Sequence, residues 1–140
     1  MRTTWLLLLL APGLLGADAP ANDQKHLQGT WKVLTANKDG KPLPAELVKN
    51  LKLTFRGEKF ILRVADETRE GTFTLQPAKK PKAITVAHAD GKTKPSEGIY
   101  AFDKGRLSLC FAEPGQDRPT GFEPKDGAKC ELYILERDKP

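Results

Sequence analysis

The sequence predicts an all-β domain: an eight-stranded antiparallel up-and-down barrel with one or two short helical turns. Three observations predict it. Apolar and polar residues alternate through eight successive short segments, the period of two that marks a half-buried strand. Tight turns separate most of them, such as "RGE" at 56–58 and "DKG" at 103–105, where Gly and Asp suit the turn backbone. Consecutive antiparallel strands also leave exposed edges unless the sheet closes on itself. A flattened barrel or a two-sheet sandwich is the alternative arrangement.

The elements follow in order. "NDQKHL" opens with Asn22 and Asp23, good helix caps, and predicts a single turn,. "TWKVLT" is strand one. "PAELVKN" carries Pro44 at a plausible first helical position and predicts one or two turns,. "LKLTF" places Leu51, Leu53 and Phe55 on one face, and "KFILRV" places Phe60, Leu62 and Val64. "GTFTLQ" adds Phe73 and Leu75, and "KAITVAH" adds Ile84, Val86 and His88. "GIYAF", "RLSLCFA" with Leu107, Leu109 and Phe111, and "KCELYILER" complete the eight. Strands of about six residues predict a shallow interior, with Phe55, Phe60, Phe73 and Phe111 filling much of it.

The first residues read differently. "MRTTWLLLLLAPGLLGADAPAND" has Arg2 as a short positive start, an apolar run from Trp5 to Leu15, and small residues Ala17, Ala19 and Ala21. This is the layout of a secretory signal peptide, and the run is too short to span a bilayer. The expected division is a signal peptide over 1–19, with cleavage between 17 and 21, and a single domain over 20–140. The expected location is periplasmic or extracellular, with no transmembrane segment in the mature chain. Arg2 and Asp18 leave together, so the formal charge stays at +5. The lysines are spread out, and the densest group, Lys79, Lys80 and Lys82, surrounds Pro81. Such a spread reads first as a solvated surface, and second as one that suits an anionic envelope polymer as partner. Nucleic acid is not expected, since no basic patch is interleaved with aromatics.

Several stretches carry a resemblance. "GTW" at the start of strand one resembles the Gly-X-Trp signature of lipocalins, in which the tryptophan packs across the closed end of the barrel. More specifically, "LQGTWKV", "GKPLP", "LTFRGEKF", "GTFTL", "KKPKAI", "GIYAF", "LSLCFA" and "PGQDRPTGF" resemble a lipocalin-like domain family of uncharacterised function, abundant in planctomycete bacteria. These pieces run from Leu27 to Phe122. The resemblance implies a barrel with Gly29 and Trp31 in structural roles, and it supplies no catalytic residue and no ligand. The final "ERDKP" leaves no room for the C-terminal helix that packs on many lipocalin barrels, which predicts a pocket without depth.

Residues capable of chemistry are few. The two histidines, His26 and His88, and the two cysteines, Cys110 and Cys130, lack the short spacing of a zinc site,, so no metal and no cofactor is expected. His88 follows Ile84 and Val86 in parity and is expected to point inward as a hydrogen-bonded structural residue. Cys110 and Cys130 lie on neighbouring strands and are a candidate disulfide, which export permits, or else free buried thiols. With Leu132 and Ile134 inward, however, the two sulfurs fall on opposite faces and only a bulge reconciles them. The longest irregular segment, "AEPGQDRPTGFEPKDGAK", contains Arg118. Its guanidinium suits a ligand carboxylate, or a bracing role with Asp117, Glu113 or Glu123. Glu67 and Glu70 read as solvated turn carboxylates. No nucleophile elbow, phosphate loop or dinucleotide fingerprint occurs.

The sequence therefore points first to an exported, non-enzymatic binding module for a small, partly apolar molecule or a peptide at the barrel mouth. Its candidate contacts are Phe55, Phe73 and Tyr100, with Arg118 at the rim. A solid-core domain that binds anionic envelope material through its basic surface and loops is the second reading. An enzyme is the third, and it requires His88, an acid and Arg118 in one cleft.

Overall fold

The structure is a computed structural model. It describes residues 22–123 and 129–138. The leader assigned to 1–19, with its cleavage region, lies outside the described residues. Residues 22–27 form a short helix, α1. The strands are β1 (Gly29–Lys38), β2 (Lys41–Pro42), β3 (Leu51–Arg56), β4 (Lys59–Val64), β5 (Glu67–Gln76), β6 (Ala83–His88), β7 (Ser96–Asp103), β8 (Arg106–Ala112) and β9 (Cys130–Arg137), with α2 (Ala45–Val48) between β2 and β3. Each strand pairs antiparallel with the next around the ring from β1 through β3 to β9, and β9 returns to β1. Eight strands thus close a barrel. β2, two residues long, continues the edge of β1 beyond β3.

The expected elements form, with three differences. Pro44 caps α2 from the preceding position, with φ −58° and ψ 144°, instead of occupying its first turn. β5 begins at Glu67, so most of "ADETRE" is strand and only residues 65 and 66 turn. A bulge between Val33 and Thr35 shifts the parity of β1. Trp31 and Val33 point inward before it, and Ala36 and Lys38 face the lumen after it, opposite Tyr133 and Glu131.

The core is polarised along the barrel axis. At one pole Leu27, Trp31, Tyr100, Ile84 and Leu107 are fully buried, and α1 lies across the end. Phe55 and Phe73 meet edge to face with centroids 5.0 Å apart, a favourable aromatic geometry. This pole is solid. At the other pole the interior is open.

A second apolar cluster lies outside the ring: Ile99, Cys110 and Cys130, with Phe122 and Leu132 against them. This corrects the expected facing of the last strand. Leu107 pairs with Leu135 and Leu109 with Tyr133, while Cys110 pairs with Leu132. Tyr133 and Leu135 are therefore the inward residues, and Leu132 and Ile134 face out. Both cysteines sit on the outer wall, and no bulge is needed to bring them to one face.

Candidate functional site at the barrel mouth

The closed pole is built around Trp31. Its indole Nε1 donates to the Leu27 carbonyl at 2.8 Å, which ties α1 to β1. The Arg137 guanidinium stacks over the indole ring at 4.4 Å and donates to the Gln28 and His26 carbonyls. Gly29 makes this possible. Its φ is +111°, and a Cβ there would stand 2.8 Å from Arg137 Nη1. Tyr100 belongs to the same pole. Its hydroxyl donates to Asp23 Oδ2 at 2.7 Å, and Lys82 donates to the same oxygen at 3.0 Å. Burial, reinforced by Asp23, pushes the Tyr100 phenol far above its usual range. Tyr100 is thus a fixed tie to α1, remote from the mouth.

The open pole holds a cavity of about 660 Å³. Phe55 and Phe60 form its floor, and Val33, Leu53, Leu62, Val86, Leu109, Phe111 and Leu135 its walls. The expected phenylalanine filling holds for one half of the interior only. Phe55, Phe60 and Phe73 pack into the lower half, and only Phe111 stands at the wall above. Phe111 can do so because Gly98 lies opposite it in register. A Cβ at Gly98 would meet the Phe111 ring at 2.5 Å.

Polar groups ring the upper cavity in three stations. On β5, Arg69 takes the inward parity of Gly71 and Phe73, and its closest anionic contact is Glu67 at 3.9 Å. On β9, Tyr133 donates to Glu131 Oε2 at 3.1 Å, with Lys38 across the ladder from Glu131. Burial, together with Glu131, holds the Tyr133 phenol well above its usual range despite the opposing pull of Arg69. On β6 and β7, His88 Nε2 lies 2.9 Å from Ser96 Oγ, and the Phe60 ring stands edge-on to the imidazole. Asp90 shapes the lip by accepting from the Lys92 and Thr93 amides and the Thr93 hydroxyl. These bonds hold its carboxyl down at about 2.

Of the four ligand-contact candidates, only Phe55 lines the cavity. Phe73 is buried behind it, and Tyr100 serves the closed pole. Arg118 is not at the rim. It lies on the outer wall, where Nη1 donates to the Ile84 and Gly98 carbonyls at 2.9 and 2.8 Å. Nη2 donates to Thr85 Oγ1 and Glu97 Oε1 at 3.2 and 2.9 Å. Its ion-pair partner is Glu97, not Asp117, Glu113 or Glu123. Both terminal nitrogens make two bonds each, so the residue clamps the β8–β9 connection onto the barrel. His88 faces the lumen and Arg118 the exterior, so the cleft that an enzymatic reading needed does not form. Cys110 and Cys130 are free thiols, both buried. Among the described residues no group of three or more potential metal ligands converges.

The residues that sequence reasoning missed are Arg69, Glu131, Tyr133, Ser96 and Arg137. All stand on the inward parity of their strands. The alternation of "ETREGTF" carries Arg69 on the same face as Phe73, which is the signal that places it at the mouth.

No family model matches the chain, and no curated protein does. Among solved structures, the chain is similar to a DUF4847 family protein from Bacteroides vulgatus, with 16% identity and a TM-score of 0.48. The match covers 82% of this chain and 96% of that one.

Proposed function

We propose that this protein is an exported, non-enzymatic, lipocalin-like binding module that holds a small, partly apolar molecule in the mouth of its barrel. The observation that carries the reading is the cavity of about 660 Å³ with apolar walls and a polar lip. Ligand sites are typically clefts of about 300–1,000 Å³, mainly apolar, with a few placed polar groups. The apolar part of the ligand would rest on Phe55, Phe60 and Leu62. Its polar end would meet Arg69, Tyr133 or His88. The ring of ladders leaves no long free strand edge among the described residues, which favours a small molecule over a peptide added as a strand. Support for export comes from the residues before Asn22, and support for the lipocalin-like kinship from the "GTW" stretch and the placement of Trp31.

Protein purified from its native host and sprayed under native conditions is expected to carry a co-purified small molecule. An apolar fluorescent probe should bind the emptied barrel at one site and be expelled by Leu62→Trp. If the probe binds Leu62→Trp as well as the parent, the lumen is not the binding site.

Binding of anionic envelope material through the outer wall ranks second. Lys32, Lys52 and Arg63 are aligned across β1, β3 and β4. Lys32 and Lys52 already pair with Glu136 and Asp138, however, which weakens the patch.

A further inference from the structure

The pair of thiols on the outer wall takes no part in the mouth. Cys110 is fully buried and Cys130 nearly so, on adjacent strands and one face, with Ile99, Leu132 and Phe122 around them. In register, Cys110 pairs with Leu132 and Ala112 with Cys130, so the cysteines are diagonal neighbours. The two side chains pack in one apolar cluster, and Cys130 is close enough to help push the Cys110 thiol up. Diagonal positions typically lie about 7–8 Å apart at Cα, and a disulfide spans about 4.4–6.8 Å. Closing that gap asks for a small shift. Cys130 is the first residue of β9 and the last rung of its ladder with β8, and its carbonyl accepts from the Asp39 amide at 2.8 Å.

We propose that Cys110 and Cys130 are joined by a disulfide made while the chain folds and then sealed against the wall, so that it staples the β8–β9 connection to the barrel. The chemistry needs an external disulfide, such as oxidised glutathione or the disulfide of an oxidoreductase. A thiolate from one cysteine attacks it, forming a mixed disulfide and releasing one thiol. The second cysteine's thiolate then attacks the protein sulfur of that mixed disulfide. The Sγ–Sγ bond forms and the second thiol leaves. The protein loses two electrons and two protons, and the oxidant gains both.

Timing follows from burial. In the folded, reduced protein, burial and then the neighbouring Cys130 push the Cys110 thiol up to about 12. The thiolate is the reactive form, so the packed pair reacts slowly. Before Phe122 and the Arg118 clamp settle, the same thiols are open to the oxidant. Arg118 and the disulfide would then hold the connection at two points, one polar and one covalent. The inference does not depend on the reading of the mouth.

The test uses the full mature chain, reduced and denatured, then refolded in oxidised and reduced glutathione. The expected product has no thiol titratable in denaturant, a mass lower by two hydrogens, and a proteolytic fragment linking Cys110 to Cys130. Its melting temperature should exceed that of the protein refolded under reduction by about 10 °C, from the loop-closure entropy of a twenty-residue separation. Folded reduced protein in the same buffer should retain its thiols far longer. Cys110→Ser and Cys130→Ser, refolded alike, should each end with one glutathione adduct. Two free thiols, or two glutathione adducts on the parent, would overturn the proposal.

Discussion

The Arg137 guanidinium lies 4.4 Å from the centre of the Trp31 ring, joining the last strand to the first across the closed pole. The same guanidinium reaches the carbonyls of His26 and Gln28, so one side chain caps the indole and anchors the leading helix. Trp31→Ala should cost roughly 3–5 kcal/mol, in the range of large core truncations. Arg137→Ala should cost about 1–3 kcal/mol by leaving those carbonyls without a donor. Urea unfolding measures both. Neither substitution should weaken binding at the mouth in protein that remains folded.

Arg118→Met should lower stability by about 1–3 kcal/mol, because it removes the donors to Ile84, Gly98, Thr85 and Glu97 together,. Faster amide exchange in residues 113–123, with probe affinity unchanged, is the expected signature. Loss of probe affinity at full stability would return Arg118 to the list of ligand contacts.

Gly98→Ala drives a methyl group into the Phe111 ring and the Cys110 carbonyl, at 2.5 and 2.8 Å. Overpacking of this kind costs about 1–3 kcal/mol. Leu62→Trp has the opposite character, since its added volume enters the cavity that Leu62 lines and escapes that penalty. Denaturant midpoints of the two variants should separate clearly, with Leu62→Trp near the parent.

Much of the fold was legible because the barrel needs only a period-two pattern and turns, and both are written plainly from Leu51 to Phe111. The last strand was not. "CELYILE" is apolar on both faces, because the outer wall there is covered by Phe122 and its neighbours. Parity alone has no means of choosing a face in such a strand. The facing of Tyr133 and of both cysteines depended on that choice. The bulge in β1 had the same effect on Lys38, since one extra residue inverts everything after it. Arg118 was misplaced for a different reason. Its partners come from β6 and β7, far away in sequence, and no local signal announces them. Of the mouth, the apolar walls were readable and the polar lip was not, because Arg69 and Glu131 resemble ordinary surface charges.

Asp90 gives a pH prediction. Its carboxyl falls from the ordinary 3.8 to about 2 in the folded chain, chiefly through the Thr93 hydroxyl and then the Thr93 and Lys92 amides. A depressed carboxyl contributes its stabilisation fully above the unfolded value and loses it as pH drops through the folded one. The lip between β6 and β7 should therefore stay ordered down to about pH 4 and loosen toward pH 2. The Thr93 amide resonance should report a midpoint near 2, and Asp90→Asn should abolish that transition.

The α1 helix and the tail of β9 share a pole, and the mouth opens at the other. Asp138 donates its amide to Thr30 at 2.9 Å, while Gln24 and Gln28 hold the β3–β4 turn at Gly57. A tether attached at either residue 22 or residue 138 therefore leaves from the sealed base. The protein can be anchored there, to a bead or to a neighbouring module, with its cup facing outward and unobstructed.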